Sequence, residues 1–120
     1  MLQTTIFNTK FESCLLNAAG CHCSTYTQMD ELSESRTGAI VSKSGTIISR
    51  SGNPHPRLYL DSFGSIYSAG LPNPGYQYYS NYQTHKPYIQ SIYPFNITEL
   101  ETMLKNIKTG IIEINLSCPN

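Results

Sequence analysis

Two groups of polar side chains stand directly after apolar segments of this 120-residue chain. Ser42-Lys43-Ser44 follows the run Ala39-Ile40-Val41, and Cys118 follows the apolar-rich residues 111–117. A lysine beside hydroxyls can neutralise an anion, although such a lysine is as often a solvated loop residue. If both segments are strands, these groups lie at carboxyl ends, where α/β proteins place their chemistry.

Residues 111–117 alternate in character, which predicts a β-strand. One face carries Ile112, Ile114 and Leu116, and the other carries Glu113, Asn115 and Ser117. Pro119 cannot donate to a strand ladder, so we expect the strand to end near Ser117 with Cys118 just beyond it. A polar inner face suits a barrel that holds a polar cofactor at its mouth, while an aliphatic outer face suits contact with helices.

Short extended segments open the chain. Residues 4–7 and 11–16, joined by Asn8-Thr9-Lys10, predict a hairpin. Asn17-Ala18-Ala19-Gly20 follows, and its small side chains would let the backbone approach a large flat ligand. The alternative for these four residues is an ordinary turn between a strand and a loop.

The next segment predicts a short helix and then a strand. Residues 26–35 have helical character, with Thr25 or Thr27 as the cap and Gly38 as the stop. The compact apolar run at residues 39–41 predicts the strand.

Residues 45–74 are rich in Gly, Pro, Ser and Asn, which predicts a long excursion with short strands. Such an excursion closes over a site or carries a partner surface. The four tyrosines in residues 76–82 favour an aromatic packing cluster over a platform for stacking bases, because no basic residues accompany them.

The last third of the chain predicts a strand, a helix and a strand. Residues 88–93 form the first strand, and Asn96 caps the helix with Glu99 in a capping box. The expected apolar stripe consists of Ile97, Leu100, Met103, Leu104 and Ile107, and the expected stop is Gly110. This βαβ unit predicts a parallel sheet with a right-handed crossover.

Composition excludes several classes of function. Eight basic residues balance eight acidic ones, so no electrostatic argument favours nucleic acid or a membrane surface. No apolar run approaches the ~20 residues needed to span a bilayer, and the first ten residues do not resemble a secretory signal, so we expect a cytoplasmic protein with reduced cysteines. Cys21-His22-Cys23 lacks the spacing and the second ligand pair of a zinc site, so no metal is expected.

Six motifs occur in a familiar order, and together they resemble the amino-terminal part of the class 1A dihydroorotate dehydrogenases. They are Asn17-Ala18-Ala19-Gly20, Ser42-Lys43-Ser44, Gly52-Asn53-Pro54 with Pro56-Arg57, Gly64-Ser65-Ile66, Gly70-Leu71-Pro72-Asn73 and Asn115-Leu116-Ser117-Cys118-Pro119-Asn120. The resemblance implies a TIM (β/α)8 barrel with an N-terminal hairpin, FMN as the cofactor, and a cytosolic homodimer. The implied reaction passes electrons from dihydroorotate, which becomes orotate, to fumarate in pyrimidine biosynthesis.

The resemblance also implies roles for individual residues. Cys118 would be the base that removes a proton from the substrate carbon while hydride passes to the flavin. The flavin would contact Ala19, Lys43, Ser44 and Asn115. The substrate would contact Lys43, Asn115 and the segment formed by Tyr67, Ser68, Ala69, Gly70 and Leu71.

Elementary chemistry agrees with these roles. A free thiol titrates near ~8.5, so a cysteine base needs donors or positive charge nearby, and Lys43 is the candidate. Lys43 would also balance the charge of a reduced flavin. Asn115 offers a donor and an acceptor, which suits the imide edge of orotate.

The chain departs from the family pattern at the substrate wall and in length. Tyr67 stands where the family has asparagine and Ala69 where it has methionine, and both changes bear on the affinity for orotate. A TIM barrel takes ~250 residues, so we expect residues 1–120 to be a fragment, with exposed strand edges and a tendency to self-associate. The alternatives are an inactive remnant or a non-catalytic interaction module, and a related flavoenzyme that acts on another dihydropyrimidine.

Overall fold

A computed structural model describes residues 2–108 and 110–118, so the strand stop predicted at Pro119 lies outside the described residues. In chain order the elements are β1 (Thr4–Ile6), β2 (Thr9–Phe11), a 3-10 turn (Cys21–Cys23), α1 (Tyr26–Ser33), β3 (Ile40–Val41), β4 (Leu58–Asp61), β5 (Gly64–Tyr67), α2 (Tyr76–Ser80), β6 (Tyr88–Ile92), α3 (Ile97–Asn106) and β7 (Ile111–Ile114). The chain is therefore of the α/β class.

A parallel sheet of three strands lies at the centre, in the order β3, β6, β7. Ile40 is opposite Tyr88 on β6, and Ile89 of β6 is opposite Ile111 on β7. The predicted parallel βαβ unit is confirmed. Among the described residues β7 pairs with β6 alone, so its other edge is open, as expected.

A further segment runs beside β3 on the side away from β6. The N–H groups of Ile40 and Ser42 donate to the β6 side, which leaves those of alternate residues pointing the other way. There Val41 N donates to Asn17 Oδ1 and Val41 O accepts from Asn17 Nδ2, while Gly38, which precedes β3 and is outside this alternation, donates to Leu15 O at 2.9 Å. Residue numbers rise together on the two segments, so they are parallel.

One face of the sheet carries an apolar cluster, and we call it the inner face. Phe11 from β2 is fully buried there against Val41, Ile89 and Ile111, with Ala39 beside them. The hairpin β1–β2 therefore covers this part of the sheet. That hairpin was predicted, but its second strand occupies Thr9–Phe11, because the chain already turns at Phe7 and Asn8, which have φ of 47° and 66°.

The outer face is covered by helices. Ile40 packs with Cys23, Met29, Tyr79 and Tyr82, and the cluster is widened by the rings of Tyr26, Tyr78 and Tyr88. The Tyr26 and Tyr78 rings stack at 4.2 Å between centroids. The interpretation of the tyrosines as a packing cluster is thus confirmed.

The ends of α1 differ in part from the prediction. Thr25 is the cap, with Gln28 completing a capping box. The helix ends at Ser33, five residues before Gly38, so Gly38 is not its stop. Gly38 is required for packing instead, since a Cβ there would lie 1.9 Å from Ser13 O.

The predicted stripe on α3 is only partly correct. Met103 and Ile107 are buried with Leu100 beside them, whereas Ile97 and Leu104 are 68% and 44% exposed. The helix touches the sheet along one narrow line, and the latter two residues lie on its flank. The backbone of Ile107 is extended, so the helix ends at Asn106 and not at Gly110.

The cap of α3 also uses different partners from those of a capping box. Asn96 Oδ1 accepts from Glu99 N at 2.9 Å, as predicted. Glu99 Oε2 accepts from Phe95 N rather than from the cap residue itself. Both bonds still satisfy free donors at the start of the helix.

The excursion predicted for residues 45–74 is present, and it carries the hairpin β4–β5. Every residue of both strands is exposed, including Leu60 at 66% and Ile66 at 70%. The tip residue Phe63 is 98% exposed. None of the helices within residues 2–108 and 110–118 has the length and apolar character to cross a bilayer.

Candidate functional site

Three polar side chains meet where the central strands end, and we call them the Ser44 cluster: Ser44, Ser91 and Asn115. The hydroxyls of Ser44 and Ser91 lie 2.9 Å apart, and Asn115 Nδ2 donates to Ser44 Oγ at 3.2 Å. Both serines are fully buried. Because side chains alternate along a strand, Ser91 shares the inner face with Ile89. The Ser44 cluster therefore lies next to the apolar cluster that contains Phe11 and Ile89.

A β-bulge lies just after β3, at Lys43 and Ser44. Val41 pairs with Ile89, and Gly45 pairs with Ile92, so the first strand advances four residues while its partner advances three. The extra residue lies between Ser42 and Gly45. A bulge redirects side chains, and here it lets Ser44 reach the partner strands.

Asn115 is held by its own backbone and by its side-chain oxygen. Its N–H donates to Ile92 O at 2.9 Å, and its Oδ1 accepts from Ser117 N at 3.2 Å. This local turn ends β7 at Ile114, three residues earlier than expected, because Ser117 N–H is used by a side chain rather than by a strand. Asn115 faces inward, as predicted.

Cys118 is half-buried and lies four residues beyond the end of β7. Among the described residues no hydrogen bond or ion pair joins it to Lys43. All four cysteines are free, as expected. The role predicted for Cys118 stays a prediction.

The loop formed by Asn17, Ala18, Ala19 and Gly20 is anchored at both ends. The Asn17 side chain pairs with Val41 as the backbone of a neighbouring strand would. Its Nδ2 donates to Val41 O at 2.7 Å, and its Oδ1 accepts from Val41 N at 2.9 Å. Ala19 rests on the apolar cluster that contains Phe11. A Cβ placed on Gly20 would meet only Ala18 O, at 3.8 Å, so there is room for a ligand or side chain at Gly20.

Cys23 fixes the far end of this loop to β3. Its thiol is 1% exposed and donates toward Gly20 O at 3.2 Å and Ala18 O at 3.4 Å, while its carbonyl accepts from Lys43 N at 3.0 Å. Burial raises the pKa of the Cys23 thiol, and the hydrogen bond to Gly20 O and then the positive charge of Lys43 only partly oppose that effect. Lys43 therefore acts electrostatically on a thiol that the sequence had suggested only as an improbable metal ligand.

The predicted substrate segment is held by three residues of the preceding turn. Asn53 N donates to Ala69 O at 2.9 Å, and Asn53 Nδ2 donates to Ser68 Oγ at 2.9 Å. Arg50 Nε donates to Gly70 O at 3.4 Å, and Arg57 O accepts from Ser68 N at 2.9 Å. This segment is therefore a supported loop.

Two glycines let these parts of the excursion lie close together. Gly52 has φ of +81° and a Cβ there would lie 2.3 Å from Ala69 O, and one on Gly70, with φ of +72°, would lie 2.3 Å from Asn53 Oδ1. Any side chain at either position would separate the two parts of the excursion. Ala69, Gly70 and Leu71 are buried as a result.

Tyr67 is placed differently from the rest of its segment. It ends β5 and is 58% exposed, so its ring is not enclosed by the described residues. The end of the segment is held by Asn73, whose Nδ2 donates to Leu71 O at 2.9 Å and whose Oδ1 accepts from Thr46 N at 3.0 Å. The structure thus joins Ser44 directly to Asn115, and it ties the substrate segment to Thr46, two residues beyond Ser44.

Sequence reasoning missed Ser91, Asn17 and Asn53 as residues that build the site. A signal for Ser91 existed, because strand alternation places it on the same face as Ile89. Asn17 and Asn53 stand in two of the six motifs, but no local pattern predicts their roles, since their bonds reach residues 24 and 15 positions away. Within residues 2–108 and 110–118 no group of three or more His, Cys, Asp or Glu side chains is placed to hold a metal ion.

Comparison with known proteins gives one family. The model of the dihydroorotate dehydrogenase family matches residues 1–120. The chain is 44% identical over 132 residues to dihydroorotate dehydrogenase A (fumarate) of Lactococcus lactis subsp. cremoris, covering 100% of the chain and 42% of that protein.

Two other relatives agree. Dihydroorotate dehydrogenase (fumarate) of Lachancea kluyveri is 40% identical over 131 residues, covering 99% of the chain and 42% of that protein. Putative dihydroorotate dehydrogenase A (fumarate) of Streptococcus pyogenes serotype M1 is 41% identical over 128 residues, covering 98% of the chain and 41% of that protein. The chain thus spans about two fifths of the length of these relatives.

Proposed function

The chain belongs to the dihydroorotate dehydrogenase family, and from that premise we propose that its protein oxidises (S)-dihydroorotate to orotate in pyrimidine biosynthesis. FMN is the proposed cofactor and fumarate the proposed electron acceptor. The family fold is a TIM barrel, of which this chain carries the amino-terminal part. The observation that carries the proposal is the Ser44 cluster, a set of inward polar groups at the ends of parallel strands.

The residues of the site suit a flavin. The loop at Ala19 and Gly20 presents small side chains and leaves room at Gly20, which a flat ring system would fill. Ser44 and Asn115 carry polar groups at the ends of β3 and β7. FMN, when bound, supplies a two-electron acceptor for the hydride that leaves the substrate.

The remaining roles belong to side chains of this protein. Cys118, as a thiolate, takes the proton from the substrate carbon, so that one hydride and one proton leave dihydroorotate and a carbon–carbon double bond forms. Lys43 balances negative charge on the ligands. Asn115 bonds flavin and substrate through its amide, and its oriented side chain supports this role.

The segment at Tyr67, Ser68, Ala69, Gly70 and Leu71 is the proposed substrate wall. The bonds from Asn53 and Arg50 to this segment support it, because they would hold the wall in place before the substrate binds. An alternative substrate is another dihydropyrimidine, which is favoured by Tyr67 and Ala69 in place of the residues typical of the family.

A cytoplasmic homodimer is proposed as the working form. The exposed apolar hairpin β4–β5 supports this proposal, because large apolar patches on soluble proteins usually mark interfaces with partners.

The decisive experiment is to purify the protein from its native source and record its absorption spectrum. A flavin band near ~450 nm that bleaches on addition of dihydroorotate, and returns on addition of fumarate, is expected. A colourless protein would contradict the proposal and favour a non-catalytic remnant. Bleaching by dihydrouracil but not by dihydroorotate would favour the other dihydropyrimidine.

A further inference from the structure

We propose that Asn73 is a positioning residue for the substrate, because its side-chain amide holds the carbonyl of Leu71 and so fixes the end of the segment that dihydroorotate contacts. This inference rests on the proposed function, which places dihydroorotate against residues 67–71. Asn73 stands in one of the six motifs, but neither the resemblance nor the comparisons give it a role in the reaction.

The hydrogen bonds of the Asn73 side chain allow only one orientation of its amide. Oδ1 accepts from Thr46 N at 3.0 Å and from Gly75 N at 2.8 Å, and a backbone N–H can only donate. Nδ2 donates to Leu71 O at 2.9 Å, and a backbone carbonyl can only accept. The second hydrogen of Nδ2 meets Thr46 Oγ1 at 3.0 Å. The direction of each bond to the backbone is therefore determined by its partner.

Leu71 needs this support because its backbone is strained. Its φ of 55° lies in the left-handed region, which a leucine rarely adopts, and the φ of Gly70 before it is also positive, at 72°. The bond from Asn73 holds the Leu71 carbonyl and offsets part of the cost of this conformation. Leu71 and Asn73 are each only 6% exposed, so water does not readily replace the bond when it is lost.

Asn73 is tied to the central sheet as well as to the excursion. Thr46 is fully buried and follows Gly45, which is bridged to Ile92 of β6. Thr46 also lies two residues beyond Ser44, which the flavin is proposed to contact. Asn73 thus relates the substrate segment to the same stretch of chain that meets the flavin. Hydride transfer depends on that relation, because the reacting atoms must be held close together.

The carbonyls of residues 69–71 all accept hydrogen bonds from protein donors, and the bond from Asn73 to Leu71 completes this set. In a trans peptide the N–H points away from the carbonyl of the preceding residue. The N–H groups of Gly70 and Leu71 meet no acceptor within residues 2–108 and 110–118. The segment therefore keeps donors for a substrate whose carboxylate and ring carbonyls are acceptors.

The test is the affinity of the full-length holoprotein for orotate, read from the change that orotate causes in the flavin absorption spectrum. Asn73→Asp keeps an acceptor for Thr46 N and Gly75 N, and these two donors favour an ionised carboxylate, which cannot donate to Leu71 O. We expect the Kd of orotate and the KM for dihydroorotate to rise about tenfold, while the Kd of FMN changes less than about twofold.

Asn73→Ala removes both sides of the amide without adding a charge. It should raise the Kd of orotate by a similar factor, with a larger loss of stability in urea unfolding than Asn73→Asp shows. A residue that only stabilised the fold would give the opposite pattern, because the Kd of orotate would then be unaltered in any variant that folds.

Asn81→Asp is the matched control. It makes the same exchange at an exposed position just after α2, where Asn81 Nδ2 also donates to a backbone carbonyl, that of Gln77, at 3.0 Å. It should leave the Kd of orotate unaltered. The rise in Asn73→Asp should also persist in about 0.5 M NaCl, which screens repulsion between the new carboxylate and orotate.

The two Asn73 variants decide independently, so the test holds if one of them does not fold. An unchanged Kd of orotate in either folded variant would overturn the inference and leave the proposed function intact. A rise that disappears at high salt, or an equal rise in the Kd of FMN, would also overturn it. Failure of the unaltered holoprotein to bind orotate would instead overturn the proposed function.

Discussion

The side-chain amide of Asn115 donates to the hydroxyl of Ser44 across 3.2 Å, although the two residues are 71 positions apart in the chain. This bond joins the two outer strands of the central sheet over the strand between them. It is possible because Ser44 lies at a bulge and Asn115 follows the last ladder position of β7. Two motifs of the sequence thus become one site.

Replacing Asn115 should weaken flavin binding. Asn115→Ala removes the donor to Ser44 and the acceptor for Ser117 N–H, so we expect the Kd of FMN to rise about tenfold. Fluorescence titration of the apoprotein measures this change. Asn106→Ala, at an exposed position of α3, is the control and should leave the Kd unaltered. Equal effects of the two variants would remove Asn115 from the site.

Replacing Cys118 should slow turnover without releasing the flavin. Cys118→Ser substitutes a much weaker acid at the position of the base, and general bases contribute about 10²- to 10⁴-fold to the rate. We expect a loss in kcat within that range, with the ~450 nm band preserved. Cys14→Ser, at an exposed cysteine, is the control. Unchanged kcat in Cys118→Ser would refute the proposed base.

The cysteines should differ in reactivity. Burial raises the pKa of the Cys23 thiol above its ordinary value, so the reactive thiolate is scarcer at neutral pH and increases only at more alkaline pH. We expect alkylation of Cys23 to be at least tenfold slower than that of the exposed Cys21. Peptide mass spectrometry after timed labelling at pH 7.5 measures both rates. Comparable rates would mean that the Cys23 loop opens readily.

Stability should fall in alkali through Tyr82. Burial, and then the carboxylate of Asp30, whose Oδ1 accepts the phenol hydrogen at 3.0 Å, raise the pKa of Tyr82 to about 12. The unfolded chain loses this proton near pH ~10, so the contribution to folding is complete below pH ~10 and is lost as the pH rises toward 12. We expect the free energy of unfolding to fall by roughly 2 kcal/mol over this pH range.

Urea unfolding at pH 8 and at pH 11 tests this prediction. Tyr82→Phe cannot ionise, so its free energy of unfolding should depend less on pH over that interval. Tyr59→Phe, on the exposed hairpin, is the matched control. A pH dependence of Tyr82→Phe identical to that of the wild type would contradict the assignment.

The close approach at Gly52 should matter for the substrate. Gly52→Ala places a Cβ 2.3 Å from Ala69 O at a positive φ, so the substrate segment must move. We expect the KM for dihydroorotate to rise at least fivefold while the Kd of FMN changes little. Gly110→Ala, where a Cβ meets nothing within 4 Å, is the control. An unaltered KM would show that this segment takes no part in substrate binding.

Periodicity and turn chemistry determined much of the fold. The alternation in residues 111–117 and the cap at Asn96 correctly predicted β7 and α3, because these signals depend on neighbours a few positions apart. The helix stops predicted at Gly38 and Gly110 were wrong. Each glycine follows a helix in sequence, but α1 ends at Ser33 and α3 at Asn106, several residues earlier.

By itself, the sequence determined the α/β class, the parallel βαβ unit, the inward direction of Asn115 and the family. Only the tertiary structure decided that Ser44 and Asn115 meet through one hydroxyl, that Ser91 completes that cluster, and that Cys23 holds the small-residue loop. Short-range patterns specify which face a side chain takes. They cannot specify which distant side chain it meets, because that depends on a bulge of one residue in β3 and on the register of three strands.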